Sequence, residues 1–227
     1  MKEFNKLKFE VKFVLISNFI LWLALIITGV LLSVFVYEYA VVFFIFGSII
    51  LLALILKLYS KKFHAKRVSL MNSTFNSLEH DDLTFNYYKK EDYEAFDALK
   101  LDNLAQDFDI SQVISGTYNM VNVEAFSAIY SKDTKRKNLI VLRVYIFDSY
   151  MNKKLVKDDI KSPLFKNATC GRYFNNVNNK YYIAYAYKNK EYKYSLEPMA
   201  HKKYESFVGR YKEELDFIKE ICHKISE

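Results

Sequence analysis

A chain of 227 residues has room for one ordinary soluble domain plus a membrane anchor, and not for two sizeable soluble domains as well. Its two cysteines, Cys170 and Cys222, form no CxxC pair, which excludes a disulfide framework or a cysteine zinc cluster and fits a reducing compartment. The formal net charge of +7 suits a soluble surface as well as it suits anionic lipid or nucleic acid, so by itself it selects no partner.

The first twelve residues carry Lys2, Lys6, Lys8 and Lys12 and read as a cytoplasmic N-terminus. From Phe13 to Val36 there is no formal charge. As a helix this run is about 36 Å long, more than the ~30 Å of a hydrocarbon core. It is also too long for the apolar core of a cleaved leader, and a second apolar run, 40–59, follows at once. Between them lie only residues 37–39, Tyr37, Glu38 and Tyr39, so the spans 13–36 and 40–59 form an antiparallel transmembrane hairpin. Lys57, Lys61, Lys62, Lys66 and Arg67 flank its far end while the turn carries no Lys or Arg, which places both termini in the cytoplasm of a cell-membrane protein. No Asp, Glu, Lys, Arg or His interrupts the spans before Lys57, so an anchor is expected rather than a transporter. Gly29, Ser33, Gly47 and Ser48 are small enough for close helix contact, and Asn18 can hydrogen-bond a neighbouring helix.

Residues 60–110 read as a charged, mostly helical connector. Between Glu79 and Asp109 ten acids stand against three lysines, whereas from Lys132 to Lys224 basic residues outnumber acids. Residues 111–227 read as an α+β cytoplasmic domain with a mainly antiparallel sheet. In Val113–Tyr130, Gly116 and the Asn119–Asn122 segment mark bends of a strand pair or a bulged strand. Asn138–Phe147 (NLIVLRVYIF) is the best central strand, and Lys180–Tyr187, then Lys188–Glu191, then Tyr192–Leu196 read as a hairpin. After Pro198 a long amphipathic helix spans Tyr204–Ile225. Its apolar stripe is Phe207, Val208, Tyr211, Leu215, Ile218, Ile221, Cys222 and Ile225, with Lys212, Glu213, Asp216, Lys219 and Glu220 facing away.

Chemical motifs are scarce. Gly29, Gly47, Gly116, Gly171 and Gly209 are isolated, so no phosphate-binding loop is expected. His64, His80, His201 and His223 have no metal-ligand spacing, and the Glu79–Asp82 cluster around His80 reads as a solvated acidic turn. Cys170 has no histidine nearby in sequence to activate it. The interleaved lysines and tyrosines of Lys180–Lys193 read as a hairpin with tyrosines in a core rather than a stacking platform, so nucleic acid is not an expected partner. No catalytic residue, cofactor or metal is expected. The lysines and arginines at Lys61, Lys62, Lys66, Arg67, Lys132, Lys135, Arg136 and Lys137 are candidates for contact with an anionic surface.

The segments Phe108–Tyr130 and Leu139–Phe147 and the ending Phe207–Ile225, together with the order of elements, resemble the bacterial family catalogued as domain of unknown function 3137. The resemblance covers most of the chain, rests on pattern, and implies two membrane helices ahead of this body. It transfers no site. The expectation is a non-enzymatic membrane-anchored interaction or scaffold domain, whose partners are the bilayer and a protein or a second copy joined through the hairpin. The other reading is a ligand-gated effector, in which the domain senses an anionic small molecule and the hairpins oligomerise.

Overall fold

The structure is a computed structural model, and it describes residues 1–35, 39–88, 94–101, 109–131, 139–150, 155, 160, 162, 164, 168–188 and 196–226. The chain divides into two compact units, Met1–Leu70 and Met71–Glu227. It is α+β, as the pattern of apolar periods requires.

The first unit is built from helix α1, Lys2–Phe35, and the greater part of helix α2, Ala40–Asn76. Both are long and apolar enough to cross a membrane. Both outlast the uncharged runs, since the Lys-rich flanks lack Pro and Gly and are good helix formers. Of the turn, Tyr37 and Glu38 lie outside the described residues. Phe13, Phe19, Ile20, Phe43, Phe46 and Ile50 are exposed, so both helices carry large apolar side chains on their outer faces. The helices approach closely at Gly29, where a Cβ would lie 2.7 Å from the Cβ of Phe44. Gly47 has open space at the same distance scale, so only one of the two glycines serves helix contact.

Polar groups in these helices are mostly satisfied at home. Thr28 Oγ1 donates to the Ala24 carbonyl at 2.9 Å, Ser33 Oγ to Val30 at 2.7 Å, and Ser48 Oγ to Ile45 at 2.8 Å. Asn18 and Ser48 are buried beside one small void, and Asn18 Nδ2 finds no acceptor among the described residues. The asparagine thus turns into its own hairpin.

The second unit is a six-stranded sheet in the order β1-β2-β3-β4-β6-β5, with every neighbouring pair antiparallel. Its strands are β1 Thr84–Tyr88, β2 Asp109–Tyr118, β3 Val121–Ser131, β4 Leu139–Ser149, β5 Gly171–Val177 and β6 Lys180–Lys188. A short helix α3, Glu94–Ala98, and the long helix α4, Tyr204–Ser226, complete it. The face opposite α4 carries Phe126, Leu142, Val144, Tyr182 and Ala184 and packs against Ala95, Phe96, Leu99 and Leu101. On the α4 face, Phe217 meets the rings of Tyr145 and Phe147 at 4.8 and 6.4 Å. Strands β4 and β6 are therefore covered on both sides, which explains why their sequences are nearly continuous apolar runs instead of alternating ones.

Three differences from the sequence expectations have local causes. Strand β1 falls inside the segment expected to be a mostly helical connector, because Thr84–Tyr88 (TFNYY) is aromatic and β-favouring despite its acidic surroundings. The body begins at Met71, with the Phe75 ring of α2 tilted against Phe85 at 5.7 Å and edge-on to Tyr211 at 6.3 Å. The hairpin that contains β6 is formed with the strand before it: the chain reverses at Asn178 and Asn179, whose φ angles of 52° and 64° suit asparagine in a tight two-residue turn. Of the segment expected to follow, residues 189–195 lie outside the described residues. The β2–β3 reversal, by contrast, stands at Asn119 and Met120, inside the predicted bend.

Gly116 is not a bend but a mid-strand residue paired with Val123. Its φ is +153°, and a Cβ would lie 2.3 Å from the Asp82 carbonyl oxygen. Gly116→Ala is expected to destabilise the sheet by about 1–3 kcal/mol or more, read as a lower denaturation midpoint of the detergent-solubilised chain; an unchanged midpoint contradicts this account of the β1–β2 entry.

Candidate functional site

Among the described residues, the densest convergence of ionisable side chains lies under α4. Pairing across the sheet aligns Ser127 of β3, Arg143 of β4 and Tyr185 of β6 in one row, with Tyr145 on the same face one pleat further along. Helix α4 brings Arg210 and Glu214, one turn apart, over that row. Arg143, Arg210 and Glu214 are 2%, 4% and 0% exposed.

Glu214 is saturated. Its Oε2 accepts from Arg143 Nε at 3.1 Å and Tyr145 Oη at 2.6 Å, and its Oε1 from Arg210 Nη2 at 2.5 Å and Tyr185 Oη at 3.2 Å. Four donors fill the acceptor sites of one carboxylate. Tyr185 Oη also accepts from Arg210 Nη2, and Arg210 Nη1 reaches the more exposed Glu213 at 3.2 Å. Burial alone would raise the carboxyl pKa of Glu214, but the Arg143 and Arg210 guanidiniums hold it below the ordinary carboxylate range. Burial pushes the Tyr185 phenol up to about 12, partly opposed by Arg210, and raises Tyr145 and Tyr211 well above the usual tyrosine value.

A β-bulge extends the network. Between the pairs Ser111↔Ser127 and Ile114↔Ala125, strand β2 carries one residue more than β3, and Gln112 sits there at φ 58°. This turns the Gln112 carbonyl to Arg143 Nη1 at 2.8 Å, and its side-chain oxygen accepts from Ser127 Oγ at 3.1 Å. Gln112 Nε2 donates to Glu197 Oε1 at 3.3 Å, which also accepts from Tyr87 Oη of β1 at 2.8 Å. Strands β1 to β4, β6 and helix α4 are thus tied through one set of polar contacts. Arg143 Nη2 and Arg210 Nε find no acceptor among the described residues. Both oxygens of the Glu214 carboxylate are taken up between the two guanidiniums and two phenols, which clamps α4 to the sheet.

The candidates from sequence lie elsewhere. Lys61 and Lys62 are exposed on α2, Lys66 pairs with Glu10, and Arg67 Nη2 stands 3.2 Å from His64 Nδ1. Lys132, Lys135, Arg136 and Lys137 lie outside the described residues. In the acidic turn, Asp81 pairs with Lys219 at 2.7 Å and the Glu79 carbonyl accepts from the same Nζ at 3.0 Å, while the His80 ring stacks on Phe75 at 4.9 Å. Among the described residues no three His, Cys, Asp or Glu side chains are grouped to hold a metal ion. His223 lies against Tyr118 and Asn119, and His201 against Ser206. Cys170 is half-buried, whereas burial lifts the Cys222 thiol to about 12. Tyr181, Tyr182, Tyr185 and Tyr187 are buried and present no stacking surface.

Sequence reasoning passed over Arg143, Gln112, Glu197, Arg210 and Glu214. Two signals were there: Arg143 is the one charge inside the apolar run Leu139–Phe147, and positions 210 and 214 fall on the same helical stripe as Phe207, Tyr211, Ile218 and Ile221.

Glu214→Gln, which leaves two buried guanidiniums facing a neutral amide, is expected to cost about 3–5 kcal/mol of unfolding free energy. Replacing Arg143, Arg210 and Glu214 together by Met, Met and Leu is expected to cost far less, or to stabilise by about 1–4 kcal/mol; denaturant titration of both variants checks the pair. The phenol of Tyr185 and the thiol of Cys222 have folded pKa values above their unfolded ones, so their contribution is complete at neutral pH and lost as pH rises. The expected outcome is a stability decline beginning near the ordinary ionisation of these groups and finishing near pH 12, with tyrosinate absorbance appearing together with unfolding. No family model, curated protein or solved structure matches this chain, so the reading of its function rests on this geometry.

Proposed function

We propose that the protein is a non-enzymatic, membrane-anchored interaction module, with α1 and α2 crossing the cell membrane as a hairpin and both termini in the cytoplasm. The observation that carries this is the pairing of two all-round apolar helices with a body whose convergent ionisable groups are consumed in holding α4 to the sheet. The lysines flanking the apolar runs support that orientation. The Ser and Thr hydroxyls named above bond to their own helix backbone and Asn18 faces inward, which supports an anchor over a polar conduit.

The body also offers a place for a partner. The β2–β3 turn, the end of β4 and the β5–β6 turn stand side by side, because Val121 pairs with Ser149 and Asp148 with Lys180. Met120, Tyr150 and Val177 are exposed there by 69%, 88% and 41%, large for apolar side chains on a soluble body.

In inverted membrane vesicles, protease is expected to digest the body and leave a protected hairpin fragment, whereas right-side-out vesicles protect the whole chain. A photo-crosslinking residue at Met120 or Tyr150 is expected to give one discrete protein adduct that is absent when it replaces Lys212 on the outer side of α4. Cleavage of the body from the outside sinks the topology; the same smear from all three positions sinks the interaction surface.

A further inference from the structure

The first turns of α1 and the stretch of α2 beside them form a groove of about 190 Å³ lined by Glu3, Lys6, Leu7 and Glu10 of α1 and by Lys66, Ser69 and Leu70 of α2. The α1 positions recur every three or four residues and therefore share one helix face, as do the three α2 positions. Lys66 bridges to Glu10 across it. Leu7 and Leu70 give the groove an apolar part between charges of both signs.

Depth and charge together identify the occupant. At a rise of about 1.5 Å per residue, Glu10 and Lys6 lie roughly 5 and 10 Å beyond Phe13, where the uncharged run begins. The headgroup layer on each side of a bilayer is about 5–8 Å thick, so Glu10 lies within it and Lys6 just beyond it, close enough for its flexible side chain to reach back to phosphates. A simple phosphate would meet Glu3 and Glu10 as well as the lysines, and a simple cation would meet Lys6 and Lys66. A headgroup carrying both signs matches both sets. A primary ammonium can donate hydrogen bonds to carboxylates, which a quaternary ammonium cannot. We propose that this groove binds a zwitterionic phospholipid of the phosphoethanolamine type, with its phosphate on Lys6 and Lys66 and its ammonium on Glu3 and Glu10. The proposal rests on the reading of α1 and α2 as membrane-spanning. It differs from the diffuse attraction of anionic lipid by Lys2, Lys8, Lys12, Lys61 and Lys62, which needs no groove.

The test uses the full chain in detergent with an equimolar mixture of phosphatidylethanolamine, phosphatidylcholine and phosphatidylglycerol of identical acyl chains, and native mass spectrometry reads the lipid that stays bound. Ethanolamine lipid is expected to be retained about five- to tenfold over choline lipid, the worth of one charge-assisted hydrogen bond at a partly wet site. Glu3→Gln, alone and with Glu10→Gln, is expected to abolish that preference while leaving phosphatidylglycerol adducts unchanged, and Lys6→Gln to weaken all three. Equal retention of ethanolamine and choline lipid, or a preference that survives the glutamate variants, overturns the site. Carbonate extraction of membranes is run in parallel: a chain that stays in the pellet without lipid preference refutes only the groove, and a chain released to the supernatant refutes the spanning reading and the groove with it.

Discussion

The carboxylate of Glu214 is the constraint on which the second unit depends. It is withdrawn from water by α4 and answered by four donors, two from β4, one from β6 and one from its own helix. A charge at that depth is tolerable only when its partners are in register, so the network admits one seating of α4 on the sheet. Apolar packing by Phe207, Tyr211, Phe217 and Ile218 supplies most of the burial, but a greasy stripe alone tolerates sliding by a turn. The ionic row does not, because a one-turn slip would strand Glu214 away from Arg143.

Seen this way, the bulge at Gln112 belongs to the same device. A regular β2 would spend its carbonyls alternately on the ladders to β1 and β3, whereas the residue at φ 58° diverts one to Arg143 and sends its side-chain amide toward Glu197. Strand β1, which contributes Tyr87 to Glu197, is drawn into the same network from the edge of the sheet. An edge strand of five residues has little pairing of its own to hold it.

The outline of this architecture was legible in the sequence. Two uncharged runs, the reversal near Asn119, the β-rich run from Leu139 and the amphipathic period from Tyr204 each carry a strong local signal, and each corresponds to an element of the structure. What escaped is what depends on tertiary context. Thr84–Tyr88 is too short to outweigh its acidic neighbours until β2 is there to pair with it. The Asn178–Asn179 turn was passed over because the lysine-rich segment after β6 looked more like a loop than two asparagines between tyrosine-rich stretches did. Arg210 and Glu214 lay on the stripe, yet a reading that sends charge to water by default cannot see a charge whose partners come from strands far away in the chain.

Helix α4 follows every strand in the chain, and that order has a kinetic meaning. Without α4 over them, Arg143 and the phenols of Tyr145 and Tyr185 would lose the Glu214 carboxylate that holds all three. Seating α4 joins residues about seventy positions apart, a long-range closure whose loop entropy has to be met before its contacts form. A chain halted before Glu214 would leave Arg143 and the phenols of Tyr145 and Tyr185 without their shared acceptor, a cationic, tyrosine-rich surface of the kind quality-control proteases act on.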